Sequence, residues 1–181
     1  GSKTDSGILR FVGVDGGFPL LDAIFSSNPQ NLETTIDLIL APDSETLEII
    51  QRAKDLQKTE ARDLSCGVII IRGDAYHGFV EDKGRSIESV TGEITFAAAS
   101  SSGNSSFILY REQGLFDTLA PQSEVLILST DTRSLLANDT REEKYFLSVG
   151  RNGDVESAFA AKRKQQSDNS GRHQVSLLVT A

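Results

Sequence analysis

The sequence predicts an α+β fold, mostly antiparallel β-strands arranged as a barrel or sandwich, with one principal amphipathic helix at about 43–58. Three observations lead there. Short runs rich in β-branched and aromatic residues recur along the chain, separated by Gly, Asn, Asp and Ser. One stretch, 43–58, places its apolar residues at helical rather than alternating spacing. A length of 181 residues fits one domain able to bury a core.

The elements follow in order. "GILRFVGV", residues 7–14, reads as a strand running into Asp15-Gly16-Gly17. "PLLDAIFSS" suits a short helix opening at Pro19, where the missing N–H is tolerated. "TTIDLILA", 34–41, reads as a strand closed by Pro42. The helix at 43–58 follows, with Asp43 or Ser44 as cap and Glu45 and Glu48 near its positive end. Leu47, Ile49, Ile50, Ala53 and Leu56 form its apolar stripe. Beyond it the period becomes two. "GVIIIR" and "AYHGFVE" read as a hairpin turning at Gly73 and Asp74, since glycine supplies the positive φ of a tight turn. "SIESVTGEITFAAAS" is one long strand with Gly92 as a bulge or close-approach point.

Beyond that strand, "SSSGNSS" is a loop, "FILYRE" a strand, "LFDTLAP" a turn or single helical turn, and "SEVLILST" a buried strand. "EKYFLSVG" meets Asn152-Gly153, the strongest short hairpin signal in the chain. The following "ESAFAAKRKQQ" combines high helix propensity with the position of a returning strand, and the strand reading is preferred. "HQVSLLVT" closes the chain as a strand. One domain, 1–181, is expected, with a subdivision into a helix-bearing β core at 1–104 and a β-rich elaboration at 105–181.

Composition narrows the function. A net charge of −8 disfavours a surface built to neutralise phosphates, so no sequence-specific nucleic-acid binding is expected. No apolar run is long enough to span a bilayer, and the polar start predicts no signal peptide. The single cysteine, Cys66, excludes an internal disulfide and reads as a packed small hydrophobe. His77 stands alone in its strand, without a second ligand or paired nucleophile. Arg72-Gly73-Asp74 reads as turn geometry rather than an adhesion signal, and Lys162, Arg163 and Lys164 as a solvated face. The sequons at Asn104 and Asn138 bear on function only in a glycosylating pathway.

Three groups of residues are weighed for chemistry. Gly13 to Gly17 resembles the first phosphate loop of sugar kinases, but Phe18 and Pro19 replace the hydroxyl-bearing turn. Arg72, Ser100 to Ser102 and Gln122 to Glu124 superficially resemble the arginine, serine and Gln-x-Glu order of ADP-ribosyltransferases, at spacings too short for the usual nicotinamide cleft. Glu81, Asp82 and Lys83 read as a solvated turn. No catalytic residue, cofactor or metal ligand is therefore assigned. An enzyme using a nucleotide at Gly13–Gly17 or at Arg72 and Glu124 stands as the alternative reading, and a monomeric binding module as a third.

Residues 34–103, read as one unit, give a strand, a Pro-Asp turn, a helix, a hairpin with "YHGF", and a long strand ending in Ser-Gly. This order, with Thr35, Leu38, Leu47, Tyr76, Gly78, Phe96 and Gly103, resembles the core of phage tail tube proteins and their contractile-injection relatives. The resemblance implies a ring- or tube-forming structural protein, a homo-oligomer whose inner wall is a continuous β-barrel flanked by the helix. It implies a virion or cytoplasmic assembly and no enzymatic activity.

Overall fold

A computed structural model describes residues 7–14, 31–56, 62–71, 76–80, 92–101, 105–119, 125–151 and 153–179. The strands are β1 (Gly7–Val14), β2 (Leu32–Leu40), β3 (Thr46–Asp55), β4 (Arg62–Leu64), β5 (Gly67–Ile71), β6 (Tyr76–Val80) and β7 (Glu93–Ile94). They continue as β8 (Phe96–Ser101), β9 (Ser106–Arg111), β10 (Phe116–Leu119), β11 (Val125–Ser129), β12 (Arg133–Leu135) and β13 (Thr140–Gly150), before helix α1 (Val155–Val179). The protein is mostly antiparallel β with one helix among the described residues.

Seven strands form one sheet in the order β1-β2-β3-β13-β9-β8-β6, four form a second in the order β5-β11-β10-β7, and β12 pairs β4. Neither large sheet closes on itself among the described residues, so the expected barrel is replaced by two open sheets packed face to face. Ala97, Ala99, Leu109 and Tyr145 of the larger sheet meet Ile94, Phe116 and Leu128 of the smaller in one buried cluster. On the outer face of the larger sheet, Phe96, Ala98, Ile108, Tyr110 and Phe146 are covered by Ala158 and Phe159 of α1.

The helix expected at 43–58 is instead the interior strand β3. It lies between β2 and β13, pairing Leu32 to Leu40 on one side and Thr140 to Ser148 on the other. Both of its faces meet protein: Ile49 packs on the inter-sheet core, while Ile50 is buried on the opposite face. A strand covered on both faces need not alternate, and its apolar residues then mimic helical spacing. The presumed cap chemistry at Ser44 does exist, within a hairpin. Ser44 Oγ accepts the Thr46 N–H at 3.1 Å, and Asp43 takes φ 57° in the turn after Pro42.

The reverse error occurs at 156–166, where the preferred strand is part of α1. Ala, Lys, Arg and Gln are strong helix formers, and Asp154 Oδ1 caps the helix by accepting the Ser157 N–H at 3.0 Å. The expected hairpin at Asn152-Gly153 therefore leads into a helix, and of the closing strand expected at 173–180, residues 173–179 belong to α1. The expected β5–β6 hairpin also fails: β5 pairs β11 in the smaller sheet and β6 pairs β8 in the larger. "LFDTLAP" supplies strand β10 rather than a turn. The single long strand at 86–100 is broken, with β7 in the smaller sheet and β8 in the larger. Gly92, at φ 118°, makes the approach to this switch in a conformation that side chains resist. The helix expected at Pro19, the turn at Gly73-Asp74 and the loop at 102–104 lie outside the described residues.

Candidate functional site

The main cleft opens where β13 outruns β9. Pairing of β9 with β13 ends at Tyr145 opposite Arg111, so among the described residues the first part of β13 pairs with β3 alone. The space of about 910 Å³ left there is walled by residues of both sheets and by the connections β9–β10 and β11–β12.

β13 brings Glu142, Glu143 and Lys144 to this space, with Arg141 behind Glu143. Arg141, Glu143 and Tyr145 share one strand face, and all three are buried. Glu143 lies between two guanidiniums. Its Oε2 accepts from Arg111 at 2.8 Å, and its Oε1 accepts from Arg141 at 2.8 and 3.1 Å. Arg141 also donates to Thr130 Oγ1 at 2.8 Å and to the Leu64 carbonyl, tying the strap after β11 to the sheet. Arg111 donates to the Leu115 carbonyl at 2.5 Å, which holds the β9–β10 connection. Asp131 extends the network outward, with Oδ2 2.5 Å from Arg133 Nε. The Arg133 guanidinium, with Arg141 and Arg111 beyond it, holds the Asp131 carboxyl below its ordinary range.

The remaining walls are acidic. Glu93 and Asp117 face each other directly across the β7–β10 pair and are both exposed, while Glu112 is 3.6 Å from Lys144. Like charges placed opposite each other weaken a strand pair, so these two carboxylates are a local cost to the sheet. Carboxylates that accept and guanidiniums that donate thus line one space, anchored on strands.

Few of the residues singled out from the sequence gather here. Cys66 is buried beside the cleft floor, in a cluster with Leu32, Ala53, Leu64 and Leu135. Burial pushes its thiol up to about 12, which removes it as a nucleophile and agrees with a packed role. Gly13 is paired opposite Thr34 inside β1, not in a phosphate loop, and Ser100 and Ser101 belong to β8 rather than a loop. Arg72, Ser102, Glu124, Asp15 to Gly17 and Glu81 to Lys83 lie outside the described residues, as does the side chain of His77. Lys162 is not solvated as expected. Its Nζ sits 4.7 Å from the Tyr110 ring centroid and 5.4 Å from that of Phe96, and desolvation lowers its pKa. Sequence reasoning missed Arg111, Asp131, Arg141 and Glu143. The available signal was the alternation in "TREEKYFLSVG", which puts Arg and Glu on the same face as Tyr145 and Leu147.

No family model matches the chain, and no curated protein matches it. Solved structures do. The GH36 α-galactosidase AgaA of Geobacillus stearothermophilus superposes with a TM-score of 0.54 at 14% identity, over 82% of this chain and 24% of that one. The likeness is one of fold. AgaB, a second GH36 α-galactosidase of the same organism, gives 0.52 at 14% identity over the same shares. A variant of AgaA was solved in complex with stachyose. This chain therefore spans about a quarter of the length of the enzymes it resembles, 24% in each case.

These neighbours overturn the resemblance to tail tube proteins, and with it the ring- or tube-forming role and virion location it implied. The helix on which that resemblance depended is strand β3, and the hairpin is two strands in different sheets. Of the two nucleotide readings, Gly13 lies inside β1 opposite Thr34, while Arg72 and Glu124 lie outside the described residues. No helix among the described residues is long and apolar enough to cross a membrane.

Proposed function

We propose that this chain is a carbohydrate-recognition domain of β-sandwich architecture, binding a sugar in the cleft beside β13. The observation that carries the reading is the cleft wall itself. Charged acceptors and donors project from rigid strands into about 910 Å³, within the size of small-molecule sites. Sugar hydroxyls both donate and accept. Glu93 and Asp117 would accept from them, and Lys144 and Arg133 would donate to them. A bridging polyol would also relieve the repulsion between the two opposed carboxylates. The fold shared with α-galactosidases supports a carbohydrate ligand and names galactosides as the first to try.

Calorimetric titration with galactose and with stachyose tests the reading. Saturable binding is expected, and Asp117→Ala combined with Glu93→Ala should weaken it about tenfold or more, as lost charge-assisted hydrogen bonds do. Absence of binding to either sugar by the folded protein would remove the proposal.

A further inference from the structure

The inner end of the cleft differs from its walls. Three guanidiniums, those of Arg111, Arg133 and Arg141, approach one carboxylate, Asp131, at 3.6, 2.5 and 3.5 Å. The side chains of Arg111 and Arg141 are each 5% exposed, whereas that of Asp131 is 49% exposed. Among the described residues Glu143 is the one other carboxylate bonded to these arginines, so three positive charges there face two negative ones. Asp131 also fits its place poorly on the inner side. Contacts of 3.5 and 3.6 Å are long for charge-assisted hydrogen bonds, which close to about 2.7–2.9 Å. Arg111 Nε is buried in the cleft floor without a hydrogen-bond partner among the described residues.

We infer that this end of the cleft is a subsite for the carboxylate of an acidic sugar, a uronic acid, and that Asp131 is its internal competitor. The inference rests on the carbohydrate reading of the cleft. A planar carboxylate matches the guanidinium fork, and the surplus of one positive charge suits a monoanion. A phosphate dianion would suffer more from the acidic walls at Glu93, Asp117 and Glu112. Displacing Asp131 requires breaking its close pair with Arg133, a pair at the surface that contributes little. A ligand carboxylate, free of the backbone that tethers Asp131, can approach the two deep guanidiniums more closely.

The test is calorimetric titration of galactose, galacturonate and sodium sulfate into the parent, Asp131→Asn and Arg133→Ala proteins. Both substitutions are at exposed positions, and a thermal melt of each verifies folding. Galacturonate should bind the parent about tenfold more tightly than galactose, the worth of one charge-assisted pair. Asp131→Asn should raise galacturonate affinity about tenfold further and leave galactose within about twofold. Arg133→Ala should erase the preference. Galactose binding with no preference for galacturonate in Asp131→Asn would sink the subsite and spare the carbohydrate reading. Sulfate matching galacturonate in that variant would reduce the site to a general anion trap and overturn the uronate assignment. Failure of all three ligands would sink both readings.

Discussion

Phe116 stacks on Tyr145 across the space between the two sheets, ring centroids 5.9 Å apart and planes 12° from parallel. Phe116 belongs to β10 of the smaller sheet and Tyr145 to β13 of the larger, and both are fully buried. Tyr145 also donates its hydroxyl to Gln51 Oε1 at 3.1 Å, and the same oxygen accepts the Gly67 N–H at 3.2 Å. Phe116→Ala should cost about 3–5 kcal/mol, from lost burial and the cavity it leaves. Urea denaturation checks this. A loss below about 1 kcal/mol would show that the sheets do not depend on this contact.

The Arg111–Glu143–Arg141 bridge behaves differently from a surface ion pair. Glu143→Ala leaves two buried guanidiniums short of a counter-charge and should destabilise by about 3–5 kcal/mol. Replacing all three residues with methionine should cost less than that single change, because no buried charge is then left unpaired. Equal losses in the two variants would contradict the account.

Cys66 gives a pH dependence of defined sign. Its thiol rises from an ordinary 9.0 to about 12 in the folded protein, chiefly through burial. Above pH 9 the unfolded chain therefore releases a proton that the folded chain retains. The associated stability is fully present below about pH 9 and is lost as pH rises towards 12. Cys66→Ala should flatten that part of the profile. At pH 8 the native thiol should resist a thiol reagent until the protein is unfolded, and rapid labelling would refute its burial.

Gly150 sits where the start of α1 lies close against the sheet. A Cβ there would meet the hydroxyls of Ser157 and Ser106 and lie 2.5 Å from the Ala158 backbone nitrogen. Those hydroxyls are bonded to each other at 3.0 Å. Gly150→Ala should cost about 2 kcal/mol through overpacking and shift the start of α1. Unchanged stability with unchanged amide shifts at 155–158 would show that the helix yields freely.

Local strand signals were legible wherever burial is one-sided or the apolar run is short, as in β2, β5, β9, β11 and β13. Legibility failed where tertiary context decides. The helical spacing of Leu47, Ile50 and Ala53 arises because β3 is covered on both faces, which its own sequence does not announce. Pairing partners were equally hidden. Nothing in "GVIIIRGDAYHGFVE" signals that its halves enter different sheets, since both halves satisfy the same alternation. The site was obscured for a related reason. Arg111, Asp131, Arg141 and Glu143 are distributed over three stretches of chain; the register of β9 with β13 brings Arg111 to Glu143, and the connection after β11 brings Asp131. Cys66 was readable because its neighbours alone imply burial.

The central position of β13 has a consequence for the growing chain. β3 acquires its second neighbour only when β13 exists, and 84 residues lie between Asp55 and Thr140. At about 5–20 residues per second, synthesis leaves that edge without its native partner for roughly four to seventeen seconds. Throughout that interval β3 presents an unpaired strand edge, with Leu47, Ile49 and Ala53 on one face, the state in which edges recruit wrong partners. Yield on expression should therefore depend on translation speed and chaperone supply more than the stability of the finished fold would suggest.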